Sequence, residues 1–268
     1  MVGIPRPAVP ADCNRAGPVP QTSDLCAIKN PGTRARQNRG LTVAMVTVMA
    51  RASRMRPCRS VADQDIQLAH GTCMVVCWFF MLRPSECVGN MQNPGPRWFP
   101  LRWYAVRFVE RNSDGSWSKA SPTRAEAVLI FLPGRKTDKF GQGTLLSRWR
   151  SGNTALCPVK ALAEWWLWCK SKFGANPRNR VFPSVSTESL RRWIGSQARG
   201  FNAYAMRVGA SRHLAAHLRQ GLSMDAMMAA GGWTSESMVR WYSGTCIEST
   251  RQWSNMLVQP CTFTGETA

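Results

Sequence analysis

The sequence has few acidic residues and few histidines. It holds 15 Asp and Glu against 35 Lys and Arg, and only three His, so its formal net charge is +20. Basic residues are spread from Arg34 to Arg251 and are not confined to one tail. Such a field attracts polyanions, and nucleic acid is the first candidate partner, with ribosomes and acidic membranes as alternatives.

The sequence also lacks metal-binding motifs and membrane spans. Its ten cysteines form no Cys-x-x-Cys pair, and no apolar run marks a secretory signal. We therefore expect reduced thiols in an intracellular compartment, the nucleus in a eukaryote and otherwise the cytoplasm. His213 and His217 share a helical face without a Glu or Cys partner, so no zinc site is predicted there. The most apolar run, residues 71–82, is too short to cross a bilayer and predicts a buried helix.

Proline divides the chain into regions. Residues 1–38 are rich in proline, which blocks helix formation and removes amide donors, so this segment is predicted to be disordered. Residues 39–258 are predicted to form one domain, and residues 259–268 a tail. No internal repeat is found.

Apolar periodicity predicts a mainly α fold of the α+β class. Strand patterns occur in "RWYAVRFVE", "AEAVLIFLP" and "GTLLSRW", which predict a small three-stranded antiparallel sheet. Thr187 is predicted to cap one of the helices. Helices are predicted near residues 41–55, 61–82, 158–173, 187–199 and 204–221.

Four residues at structured positions fit the requirements for breaking a DNA backbone without a metal. An arginine fork neutralises the phosphate in the transition state, as Arg83 and Arg207 could. A tyrosine such as Tyr242 can attack phosphorus and hold a covalent link. A lysine such as Lys136 can protonate the leaving oxygen.

The surrounding motifs resemble those of the tyrosine recombinases, the phage-integrase family, from about residue 40 to residue 250. "FMLRPSECVGN" resembles the first-arginine box, with Arg83 as the catalytic arginine and Glu86 as its structural companion. "GRKTDKFGQG" resembles the hairpin that carries the catalytic Lys136. "CPVKALAEW" and "VFPS" resemble the linking helix and the short segment that follow it.

The later motifs keep the family's order. "YAMRVGAS" resembles the His-x-x-Arg box, with Arg207 as the second arginine. "GGW" resembles the Gly-His or Gly-Trp box and contains Trp233. Tyr242 comes nine residues later, the family's usual spacing to the nucleophile. The resemblance depends on the shared order of these boxes in a strongly basic chain, and not on any single box.

The resemblance implies a helical recombinase catalytic core, in residues 39–258, that cuts and rejoins double-stranded DNA through a 3′-phosphotyrosyl intermediate. It implies no metal, nucleotide or other cofactor, no small-molecule substrate and no membrane, and other recombinase protomers on the DNA are possible partners. Its implied catalytic residues are Arg83, Lys136, Tyr204, Arg207, Trp233 and Tyr242, with Arg135 and Lys139 as DNA contacts in the hairpin.

Two departures from the family pattern leave alternatives open. Tyr204 stands where His is commonest, and a tyrosine with a pKa of about 10 is a poor base near neutral pH. The interval from Arg207 to Trp233 is slightly long, which leaves Arg212 as an alternative second arginine.

The first 35 residues offer no apolar face for the helical domain that usually precedes this core. We therefore expect reduced activity and weak, little-selective DNA binding. A type IB topoisomerase activity and a DNA-binding domain that no longer cuts are the alternative functions.

Overall fold

Three helices open the part of the chain that the structure describes. In this computed structural model that part comprises residues 40–55, 60–89, 100–133, 143–218 and 257–258. Helix α1 spans Val43–Met55, α2 spans Val61–Phe79 and α3 is the short Pro84–Val88. Ser60 caps α2, because its side chain accepts the N–H of Asp63 at 3.1 Å.

A four-stranded antiparallel sheet follows, in the order β2-β1-β3-β4. Phe108 pairs with Val128 across β1 and β3, and Ile130 pairs with Leu146 across β3 and β4. The strands are β1 (Val106–Arg111), β2 (Trp117–Lys119), β3 (Ala127–Leu132) and β4 (Thr144–Trp149).

The expected three-stranded sheet therefore needs a correction. The three predicted strands are present, and β2 adds a fourth at the edge beside β1. With three residues, Trp117–Lys119 is too short to show an alternating pattern. The first predicted strand also begins late, because Trp103–Ala105 forms a 3₁₀ turn before β1.

Three longer helices follow the sheet in the described residues: α4 (Pro158–Phe173), α5 (Thr187–Gln197) and α6 (Ala205–Leu218). The expected cap of α5 was off by one residue. Ser186, and not Thr187, accepts the N–H of Ser189 at 3.0 Å.

Helix α2 forms the centre of the core. Every residue from Ala69 to Phe79 is buried, and the helix packs against α1, α4 and α6. The buried helix predicted from the apolar run is thus confirmed, although it ends at Phe79. Across the described ranges, no helix combines the length and apolar character needed to cross a bilayer. The described part of the chain is thus a mixed α+β fold with six α-helices.

A close backbone approach fixes α6 on this core. A Cβ atom on Gly209 would lie 2.1 Å from the carbonyl oxygen of Leu41 and 2.7 Å from the ring of Trp78. Only glycine fits without displacing one of them. The N–H of Leu41 also donates to the carbonyl of Ala205 at 3.0 Å. These contacts set the position of the first turns of α6.

Candidate active site

Glu86 occupies the third position of α3, and the local sequence explains why. Pro84 at the first position cannot donate a hydrogen bond and needs none there. The carboxylate of Glu86 turns back and accepts the backbone N–H of Arg83 at 2.8 Å. A glutamate at this position commonly satisfies the free N–H at the start of a helix.

The same carboxylate brings together the two predicted catalytic arginines. Nη1 of Arg83 lies 2.9 Å from Oε1 of Glu86, and Nη1 of Arg207 lies 3.9 Å from Oε2. The Glu86 side chain is 2% exposed, that of Arg207 is 5% exposed and that of Arg83 is 24% exposed. Two guanidinium groups from distant parts of the sequence therefore share one buried carboxylate.

Arg207 is also attached to the end of α2. Its Nη1 donates to the carbonyl oxygen of Met81 at 2.5 Å. Met81 has a φ of 47°, in the left-handed region, and this conformation turns the chain away from the end of the helix. The hydroxyl of Ser211 donates to the carbonyl of Arg207 at 2.7 Å, one turn further along α6. The second arginine is thus held by α2, α3 and α6 together.

The charges of this cluster favour an anion. Two guanidinium groups face one carboxylate, so the three side chains carry one surplus positive charge. Arg83 is the most exposed of the three, and a bound anion could reach the cluster from its side. Arginine forks bind phosphate oxygens in bidentate geometry, which makes a phosphate group the best chemical match.

Tyr204 lies in the turn directly before α6. The side chain of Asn202 caps this helix by accepting the N–H groups of Tyr204 at 2.9 Å and Ala205 at 3.1 Å. Tyr204 is 41% exposed, and its hydroxyl makes no hydrogen bond to another described residue. It stands three residues before Arg207, as the box predicts, with its hydroxyl able to meet a ligand.

The other predicted site residues cannot be compared with the structure. Lys136, Arg135, Lys139, Trp233 and Tyr242 lie outside the described residues.

The alternative second arginine, Arg212, has its backbone within α6. Five residues of α-helix rotate its Cα by about 140° around the helix axis from that of Arg207. The face of α6 that meets Glu86 is therefore the face of Arg207.

Sequence reasoning missed a second buried arginine, Arg148 in β4. Its Nε donates to the carbonyl oxygen of Phe79 at 2.6 Å, and its guanidinium lies 5.2 Å from the centre of the Phe80 ring. Arg148 and Arg207 thus both donate to backbone carbonyls at the end of α2. A basic residue there also compensates the negative end of the helix dipole. No sequence pattern marks this role, because it depends on how β4 packs against α2.

Sequence reasoning also missed a cluster of three buried thiols beside Glu86. The sulfur atoms of Cys73, Cys77 and Cys87 all lie within 4.8 Å of one another. Burial raises the pKa of Cys73 and of Cys87 well above the usual thiol value. The hydrogen bonds from Cys73 and then Cys87 lower the pKa of Cys77. The spacing in the sequence gives a partial signal, since Cys73 and Cys77 are one helical turn apart.

A second basic feature is a cavity of about 510 Å³ beside the end of α4. Three arginines line it together with two aromatic rings, which is a combination suited to phosphate and base contacts. They are Arg102, Arg178, Arg180, Trp103 and Phe173. This cavity was not predicted, because its arginines come from two separate loop segments.

Two comparisons with known proteins identify no relative of this chain. The chain matches no protein-family model, and a search of the curated proteins finds no match either.

Proposed function

We propose that this chain is a DNA breaking-and-rejoining enzyme with the catalytic core of a tyrosine recombinase. The observation that carries the proposal is the contact of Arg83 and Arg207 with the single buried carboxylate of Glu86. These are the two arginines, and the companion glutamate, that the motif order selects. Their convergence gives the motif match a physical counterpart, a positively charged cluster suited to one phosphate group.

The proposed reaction is a phosphoryl transfer. The phenolic oxygen of Tyr242 attacks the scissile phosphorus, and the bond from phosphorus to the 5′-oxygen breaks. Lys136 gives a proton to that leaving oxygen. The product is a 3′-phosphotyrosyl link and a free 5′-hydroxyl. Attack by a 5′-hydroxyl on the phosphotyrosine reverses these steps and rejoins the DNA, so no external energy source is consumed.

Arg83 and Arg207 stabilise the charge that develops on the non-bridging phosphate oxygens. Groups held in place before the reaction are effective for this purpose, because no reorganisation is needed when the charge forms. Arg207 meets this condition through its contacts with Met81 and Glu86. Tyr204 and Trp233 would position the phosphate by hydrogen bonds.

The partner in this proposal is double-stranded DNA, with further protomers possible on the same duplex. The net charge of +20 supports a polyanionic partner. The location would be the nucleus in a eukaryote and the cytoplasm otherwise. The exposed Tyr204 in place of histidine favours one second candidate, a DNA-binding domain that has lost the ability to cut.

A suicide DNA duplex tests the proposal, because its nicked strand releases the 5′-end and traps the covalent complex. We expect an SDS-stable, protease-sensitive adduct with the unaltered chain and none with Tyr242→Phe. Tyr104→Phe is the matched control, since Tyr104 is 56% exposed and outside the motif boxes, and it should form the adduct normally.

The other outcomes separate the alternatives. DNA binding without any adduct from the unaltered chain would favour the non-cutting domain. Relaxation of supercoiled plasmid without strand exchange would favour a topoisomerase. An adduct that persists in Tyr242→Phe would show that the nucleophile assignment is wrong.

A further inference from the structure

The three-thiol cluster joins two elements of the candidate active site. Cys73 and Cys77 lie on α2, and Cys87 lies on α3, directly after Glu86. All three side chains are completely buried. A ligand bound by all three thiols would therefore connect the central helix α2 to the short helix α3, which carries Glu86.

The sulfur spacing suits a common metal ligand sphere. The sulfur atoms of Cys73 and Cys87 are 3.8 Å apart, and the third sulfur lies within 4.8 Å of both. Two sulfurs bound at about 2.3 Å to one tetrahedral metal ion stand about 3.8 Å apart. A disulfide would require a distance of about 2.05 Å between two sulfur atoms. The observed spacing is closer to that of two sulfur ligands on one metal ion.

The ligand chemistry selects the class of metal. Thiolate sulfur is a soft ligand and prefers thiophilic ions such as Cu⁺ and Zn²⁺ to Mg²⁺ or Ca²⁺. In the described ranges, no further His, Cys, Asp or Glu joins the cluster. Three ligands are sufficient for Cu⁺, whereas structural zinc is almost always bound by four.

We propose that Cys73, Cys77 and Cys87 form a structural binding site for one thiophilic d¹⁰ metal ion. Each S–H bond is replaced by a sulfur–metal bond, and the three protons pass to solvent. No electron is transferred. The bound ion would fix α3 against α2 and so hold Glu86 between its two arginines. This site is separate from the DNA chemistry and does not depend on the proposed function.

Metal titration of the full, reduced and chelator-treated chain tests this site. Cd²⁺ is the probe for a divalent ion, and Cu⁺ supplied from a chelator of known affinity is the monovalent arm. We expect one ion per chain, a thiolate-to-metal charge-transfer band and a raised melting temperature. A preference for Cu⁺ would indicate three-coordination, and equal or tighter Cd²⁺ binding would indicate a divalent site.

Single substitutions identify the ligands. Cys73→Ala, Cys77→Ala and Cys87→Ala should each weaken binding by more than the roughly 10–100-fold typical of losing an outer-shell partner. Cys157→Ala and Cys169→Ala are the controls, since both thiols are free and buried but outside the cluster, and binding should be unchanged. If a cluster variant fails to fold, the melting temperature of the unaltered chain with and without the ion still decides.

Three results would overturn the proposal. One is the absence of both a band and a rise in melting temperature with either ion. Another is a band that survives all three cluster substitutions, which would place the ion elsewhere. The third is a disulfide between two of these thiols, located by peptide mass mapping of the chain before reduction, because thiols joined in this way cannot bind the ion.

Discussion

Two sets of arginines in the part of the chain that the structure describes lie in contrasting environments. Arg191 and Arg192 on α5 are 60% and 74% exposed, and they pair with the exposed Glu188 of the same helix. Arg207 is 5% exposed and reaches Glu86, a residue of a different helix. Exposed pairs within one helix contribute little to stability, because solvent screens them and ordering the side chains costs entropy. The buried guanidinium of Arg207, in contrast, needs a partner of opposite charge held in a fixed position.

This contrast shows that the net charge of the chain and the environment of a particular arginine predict different things. The net charge of the chain counts all its arginines equally and predicts only a polyanionic partner. Burial and the contact with Glu86 set Arg207 apart from the exposed arginines of α5, and its neighbours hold it in one orientation. A fixed guanidinium can act in phosphoryl transfer, whereas a mobile surface arginine mainly adds to non-specific attraction.

Glu86→Ala should produce the largest change in stability. It removes the carboxylate that two guanidinium groups share, and breaking a buried ion pair typically costs about 3–5 kcal/mol. Urea denaturation followed by circular dichroism measures this loss. Glu188→Ala is the matched control at the exposed pair and should leave the denaturation midpoint unchanged. Equal effects of the two substitutions would remove the distinction between the two environments.

Gly209→Ala should have an intermediate effect. The added methyl group would meet the carbonyl of Leu41 at 2.1 Å and the Trp78 ring at 2.7 Å, which forces α6 to shift. Overpacking of this kind costs about 1–3 kcal/mol. Gly195→Ala in α5 is the control, because its added Cβ would meet only the carbonyl of Phe201, at 3.8 Å.

The control should raise stability slightly, since alanine favours helix by up to about 1 kcal/mol relative to glycine. Thermal unfolding of both variants gives the comparison. A Gly209→Ala chain as stable as the Gly195→Ala chain would contradict the close packing of α6.

His70 should give the smallest change, seen as a dependence of stability on pH. Burial lowers the pKa of His70 below its ordinary value of 6.5. Its ring contacts the carbonyl of Ile66 at 2.7 Å and the hydroxyl of Ser189 at 3.1 Å, and it stacks on Trp193. The folded chain prefers the neutral ring of His70. The contribution of this ring to the free energy of unfolding is therefore complete above pH 6.5 and is lost as the pH falls through the lowered pKa.

Denaturation midpoints at a series of pH values measure that loss. In His70→Gln the decline of stability as the pH falls below about 6.5 should be shallower, since glutamine has no proton to gain there. An identical pH profile for the variant and the unaltered chain would assign the acid sensitivity to other groups.

Local patterns in the sequence were sufficient to predict the main helices and strands. The apolar run of α2 and the alternation in β1, β3 and β4 predicted these elements, because burial in a core imposes those periods. Strand β2 was missed because three residues carry no period. The cap at Ser186 was missed by one position, because serine and threonine both suit a helix start.

The contacts of the site depended on tertiary packing. The resemblance selected Arg83, Glu86 and Arg207, but their shared contact depends on how α3 and α6 meet the end of α2. Arg148 and Cys87 had no local signal, since each acquires its role from a distant segment. The parts assigned to Lys136 and Tyr242 stay predictions from the sequence.

The most direct measurement is the rate at which Arg207→Lys forms the covalent adduct on a suicide duplex, beside Arg191→Lys. Lysine keeps the charge but loses the planar fork, so the comparison tests geometry and not net charge. Melting temperatures establish that both variants are folded. We predict a rate about 10²–10³-fold lower for Arg207→Lys, the usual loss when one fixed donor to the transition state is removed. Arg191→Lys should react at the unaltered rate. Adduct formation by folded Arg207→Lys at that same rate would contradict the account.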